Sequence, residues 1–118
     1  MSAAPASREL LSITPFLEEL RRVTRLRAGA PVADPLGAAV KKIETNPAFT
    51  LSRLLTRVLQ GLTYQRGEFR RAEIATFDPE TLAIVMALMT AHAAGTTARE
   101  DWVRAAELAN AAQLGAGG

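Results

Sequence analysis

The stretch Leu82 to Ala94, LAIVMALMTAHAA, contains no Asp, Glu, Lys or Arg, and Thr90 and His92 are its only polar side chains. A helix of that composition has no hydrophilic side to offer to water, so it must be covered on nearly every face. The cover comes either from the chain's own helices or from a partner. The run is 13 residues long, short of the roughly 20 that cross a bilayer, so it reads as a core or interface helix and no membrane partner is expected.

A chain of 118 residues with 48% hydrophobic and 22% charged side chains lies in the ordinary globular range. Its pattern predicts a single helical domain over 7–114, between a flexible N-terminal tail, 1–6, and a flexible Gly-rich tail, 115–118. Such a domain buries roughly two-thirds of the surface its unfolded chain exposes, so the core is modest. Aromatic side chains are few (Phe16, Phe49, Tyr64, Phe69, Phe77 and Trp102) and alanine is common. The core therefore depends on close helix packing and on Leu, Ile, Val and Met. The absence of cysteine excludes disulfides, thiolate nucleophiles and cysteine metal sites. The opening MSAAPAS leads into Arg8 and Glu9 without a sustained apolar segment, and a cytoplasmic location is expected.

Stop and start signals divide the chain into helices. The first starts near Ser7 or at Thr14-Pro15 and is carried by Leu10, Leu11, Phe16, Leu17, Leu20 and Val23 to about Arg27. Asp34-Pro35 opens a second through Leu36, Ala39, Val40 and Ile43, and Asn46-Pro47 interrupts it. Leu51, Leu54, Leu55, Val58, Leu59 and Leu62 give the third the cleanest helical period in the chain, weakened at Gly61. Residues 63–76 read equally as a loop or as a short helix around Phe69 to Ile74. In the fourth helix Asp78 caps, Pro79 takes the first position, Phe77 and Leu82 have the spacing of a hydrophobic staple, and Gly95 supplies the stop. The fifth has a capping-box spacing at Thr97 and Glu100, with Trp102, Ala105, Ala109 and Ala112 on one seam. The expected fold is all-α: a compact bundle of four to five short helices with the apolar helix near 79–94 at its centre.

Groups able to perform chemistry are scarce. His92 is the single histidine and has no acidic residue at i±3 or i±4 to orient it, so a packed structural histidine is the expected role. The carboxylates are dispersed, no metal-binding spacing arises, and the glycines form neither a P-loop nor a dinucleotide fingerprint. No catalytic residue, cofactor or metal is expected, and the chain reads as a non-enzyme.

Charge is distributed unevenly: residues 1–71 carry a net +6 and residues 72–118 a net −4. Two arginine clusters supply the basic excess, Arg21, Arg22, Arg25 and Arg27 in the first helix and Arg66, Arg70 and Arg71 in the ambiguous segment. These are the candidate contacts for an anionic partner, since arginine grips phosphate bidentately. Ion pairing competes with that reading, because Glu18 precedes Arg22 by four residues and Glu68 and Glu73 interleave the second cluster. A helix-turn-helix is disfavoured, as its recognition helix would open on Asp78 and Glu80.

The sequence thus predicts a helical protein–protein interaction module, a small regulator, adaptor or assembly subunit that binds a protein partner or itself as a homo-oligomer. Leu82, Val85, Met86, Met89, Trp102, Ala105 and Ala109 are the candidate core or interface residues. The alternative is a nucleic-acid-associated protein whose arginine clusters contact phosphates.

Overall fold

Phe16, Phe69 and Phe77 come together at the centre of one end of the molecule, and the elements that carry them explain the architecture. The computed structural model describes residues 10–27 and 32–117. The tail expected at 1–6 lies outside the described residues. A short strand β1 (Leu10–Ser12) leads into helix α1 (Ile13–Arg27), followed by α2 (Pro35–Thr45) and α3 (Thr50–Tyr64). Strand β2 (Glu68–Arg70) and a 3₁₀ turn (Arg71–Thr76) then precede α4 (Pro79–Ala94) and α5 (Arg99–Gly117). The bundle of five helices matches the all-α expectation, with the two-stranded sheet as an addition.

Each helix boundary has a local cause. At α2, the Asp34 side chain accepts from the Gly37 N–H and Pro35 fills the first position. At α4, Asp78 Oδ1 accepts from the Thr81 N–H at 2.7 Å, and Phe77 and Leu82 are both buried, as a staple requires. Gly95 ends α4 at φ 68°, its N–H shared between the carbonyls of Ala91 and His92. Three boundaries differ from the sequence reading. Helix α1 begins at Ile13, ahead of Thr14, because residues 10–12 are taken up by β1. Helix α5 begins at Arg99 with the Ala98 carbonyl accepting from Asp101 and Trp102, so Thr97 stands one residue before the cap position. That helix also continues to Gly117, past the tail boundary expected at 115: Gly115 keeps a negative φ, so no left-handed turn stops it.

The segment 63–76 resolves into neither simple alternative. Gln65 adopts a left-handed conformation at φ 55°, Gly67 follows at φ 116°, and the chain turns back as β2. β2 pairs antiparallel with β1 in the register Leu10 to Arg70, Leu11 to Phe69 and Ser12 to Glu68. The middle pair points inward and is buried while the flanking residues face water. Phe69 thereby stacks on Phe16 with ring centroids 4.0 Å apart, and Phe77 tilts against Phe16 at 6.4 Å.

Helix α4 packs on α1, α2 and α3, while α5 packs on α2 and α3. Leu82, Ile84, Val85, Leu88 and Met89 are buried, which answers the question raised by the uncharged run: the chain covers it itself. Within the uncharged run the positions left most open are Thr90, His92, Ala93 and Ala94, and apart from His92 these are small, so their exposure costs little. Helix α3 is buried except along the side that carries Arg53, Arg57, Gln60 and Tyr64, and Gly61 has a packing reason. A Cβ there would lie 2.7 Å from Ile13 Cδ1 and 3.2 Å from the Arg66 carbonyl oxygen, so the missing side chain lets β1–α1 close on α3. This close approach offsets the roughly 1 kcal/mol that glycine costs inside a helix.

Candidate functional site

The residues singled out as core or interface fall inside the molecule. Leu82, Val85 and Ala109 are fully buried, Met89, Trp102 and Ala105 nearly so, and Met86 is partly buried against the same core. The alanine seam of α5 faces α2 and α3 and permits their close approach. Of these seven residues only Ala105 borders the open groove between α2 and α5, and it is 4% exposed.

His92 is a joint between helices. Its ring meets Trp102 edge-on with centroids 5.4 Å apart, and its Nε2 lies 3.3 Å from the Gln65 side-chain nitrogen. Beside it, Arg99 donates to the Thr63 carbonyl at 2.8 Å, closing the C-terminal end of α3. The recess there, bordered by His92, Arg99 and Trp102, is about 170 Å³. Among the described residues no group of three His, Asp or Glu side chains could hold a metal ion.

The two arginine clusters meet in space at one carboxylate. Glu19 of α1 pairs with Arg71 of the 3₁₀ turn at 2.7 Å and with Arg22 at 3.6 Å. The Arg71 hydrogen bond, with the charges of Arg22 and Arg71, holds the Glu19 carboxyl below its ordinary range. Arg66 lies over the Tyr64 ring at 5.2 Å, and Arg21 and Arg70 are exposed. The side chains of Arg25 and Arg27 lie outside the described residues. Sequence reading missed the organising cation, Arg57 of α3, which appears there only as a polar-face residue. It grips Glu73 with both guanidinium nitrogens at 2.6 and 3.2 Å, donates to the Glu68 carbonyl, and lies 4.9 Å from the Phe69 ring centre. Glu73 also accepts from the Arg70 N–H at 2.7 Å. These pairs staple β2 and the 3₁₀ turn to α1 and α3.

Partial burial works to raise the Glu73 carboxyl, but the Arg57 hydrogen bond, the Arg70 N–H and both positive charges outweigh it and leave it lowered. Asp78 is lowered in the same way, burial being outweighed by hydrogen bonding from Thr81 and the charge of Lys42. A carboxyl whose pKa is depressed in the fold contributes stability above its unfolded value, lost as pH falls through the folded one. Unfolding followed by circular dichroism should therefore show stability falling below about pH 4. Glu73→Gln should remove about 1 kcal/mol at pH 7 and flatten part of that acid dependence. An unchanged acid profile would show that the Arg57–Glu73 pair contributes nothing net.

A further concave surface lies between the N-terminal part of α2 and α5. This groove is about 620 Å³, with Leu36, Val40, Ala91, Ala105 and Leu108 supplying its apolar surface. Lys41 and Glu44 stand on the α2 side and Asp101 and Arg104 on the α5 side. Leu108 is 43% exposed although it adjoins the buried alanine seam. The signal in the sequence was slight: Leu108 sits off the Ala105/Ala109 seam, and Leu36 and Val40 repeat at i and i+4 beside charged residues.

Comparison with protein-family models, curated proteins and solved structures gives no match. The chain's own side chains therefore carry the functional reading.

Proposed function

We propose that this protein is a non-enzymatic helical interaction module, a small regulator, adaptor or assembly subunit, that takes an amphipathic helix of a protein partner into the α2–α5 groove. The supporting observation is a concave apolar surface left open between two helices, with Leu108 at its edge and charges of both signs around it. Helix-in-groove binding uses such a surface: apolar anchors enter the groove, and the rim charges set orientation. Each leucine-sized anchor buried there contributes about 1.5–3 kcal/mol before the costs of association.

A photo-reactive residue in place of Glu44, at the rim, should yield a protein adduct on irradiation in cells that make this protein. The same residue in place of exposed Ala75, which does not line the groove, should not. Leu108→Glu should abolish the Glu44 adduct while leaving helix content unchanged. No adduct at Glu44, or one indifferent to Leu108→Glu, would overturn the groove as the binding surface.

The nucleic-acid reading has one observation in its favour, the convergence of Arg22 and Arg71 at Glu19. The same observation weakens it, because the carboxylates of Glu19 and Glu73 already hold Arg71 and Arg57. Salt-sensitive binding to duplex DNA or RNA, lost on replacing Arg66, Arg70 and Arg71 with alanine, would reverse this ranking.

A further inference from the structure

We infer that the helix received by the α2–α5 groove is α5 of a second copy of this chain, the two copies docking about a two-fold axis so that Asp101 and Arg104 of each pair with Arg104 and Asp101 of the other. This rests on the groove being the binding surface, and adds who occupies it and in what register.

The first support is the state of the rim charges. The ion pairs within the bundle join side chains that do not line the groove: Lys42 with Glu80 at 2.7 Å, Arg57 with Glu73, Arg71 and Arg22 with Glu19. Five charged side chains line the groove; Asp34 accepts from the Gly37 N–H, and among the described residues the side chains of the other four, Lys41, Glu44, Asp101 and Arg104, make no hydrogen bond or ion pair within the chain. These four comprise two cations and two anions and carry both signs on each helix; with Asp34 the groove lining has a net charge of −1. A uniformly charged partner would meet repulsion at half of these positions. A second copy turned through a two-fold axis brings the same two cations and two anions, which is the self-complementarity that an isologous contact needs.

The second support is the register on α5. Asp101, Arg104 and Leu108 stand at i, i+3 and i+7, which places them on one stripe of the helix, and all three are exposed. An antiparallel α5 pair with its two-fold axis between residues 102 and 103 sets Asp101 opposite Arg104 of the second copy, twice over. The same symmetry sets Leu108 opposite Thr97 of the second copy, and Thr97 lines the groove. One register thus satisfies the α5 charges and delivers an apolar anchor to each groove.

Reversing one charge tests this on the full chain. Sedimentation of the unaltered protein from about 1 µM to 1 mM should show a concentration-dependent dimer, in the range where modest interfaces associate. Asp101→Arg and Arg104→Asp should each weaken it at least about 100-fold, because a two-fold contact doubles every like-charge apposition. Circular dichroism should show both variants folded. Mixed in equal amounts they should regain the dimer mass, since Arg at 101 in one chain then faces Asp at 104 in the other, and the native Arg104 faces the native Asp101. Leu108→Glu, a third variant, should also give a folded monomer. A protein monomeric throughout, a dimer indifferent to the reversals, or two variants that fail to associate on mixing would each overturn the inference. A monomeric protein whose Glu44 position still yields an adduct of some other mass would refute the second copy alone; no adduct of any mass would refute the groove as well.

Discussion

Replacing Phe16 with alanine should lower the unfolding free energy by about 3–5 kcal/mol, the range for deleting a buried aromatic ring. The reason is position as much as size. Phe16 is fully buried, stacks on Phe69 and tilts against Phe77, so one ring joins α1 to β2 and to the segment entering α4. Its neighbours are fixed by the β1–β2 pairing and by the capped start of α4, which limits how far they can collapse into the space left behind. A domain of this length has a total stability of roughly 6–18 kcal/mol, so the loss is a large fraction of it. Urea titration should show the midpoint falling by roughly 2 M, with Phe16→Leu losing much less. A shift corresponding to less than about 1 kcal/mol would show that the three rings do not form a packed cluster.

Val85→Asp should abolish the cooperative fold. Val85 is fully buried on the helix that packs on α1, α2 and α3, and an unpaired carboxylate there costs several kcal/mol even after it takes up a proton. This substitution separates two roles for an uncharged helix. Were α4 a seam between copies, the charge would split an oligomer and leave folded subunits. Covered within one chain, α4 has no such fallback, and far-UV circular dichroism should show helix loss at all protein concentrations. Thr90→Lys, on the open side near the end of the same helix, should stay within about 0.5 kcal/mol of the unaltered protein.

What could be read from the sequence was what local chemistry decides. Asp34-Pro35, Asp78-Pro79 and Gly95 mark helix boundaries because the cap bonds form within a few residues, and the leucine period of α3 survives because one face of that helix supplies the core. The two strands were invisible because each has three residues and a single inward side chain, Leu11 or Phe69, too few to show alternation. Arg57 looked like one more cation on a polar face; its role exists only once β2 and the 3₁₀ turn bring Glu68 and Glu73 to it. The groove was hidden for the same kind of reason, since its two walls lie more than fifty residues apart in the chain and neither is distinctive alone. The uncharged run read equally as core or interface, and its burial against α1, α2 and α3 makes it core.

The pairing of Leu11 with Phe69 also constrains the order of assembly. Helices α2 and α3 pack on each other across a short connection, whereas β1 can find β2 only after the chain between them has been gathered in, at an entropic cost that grows with the length enclosed. The first strand is therefore a late closure on a bundle already collapsed. In native-state hydrogen exchange, the backbone amides at this seam should open in events that leave the α3–α5 contact intact.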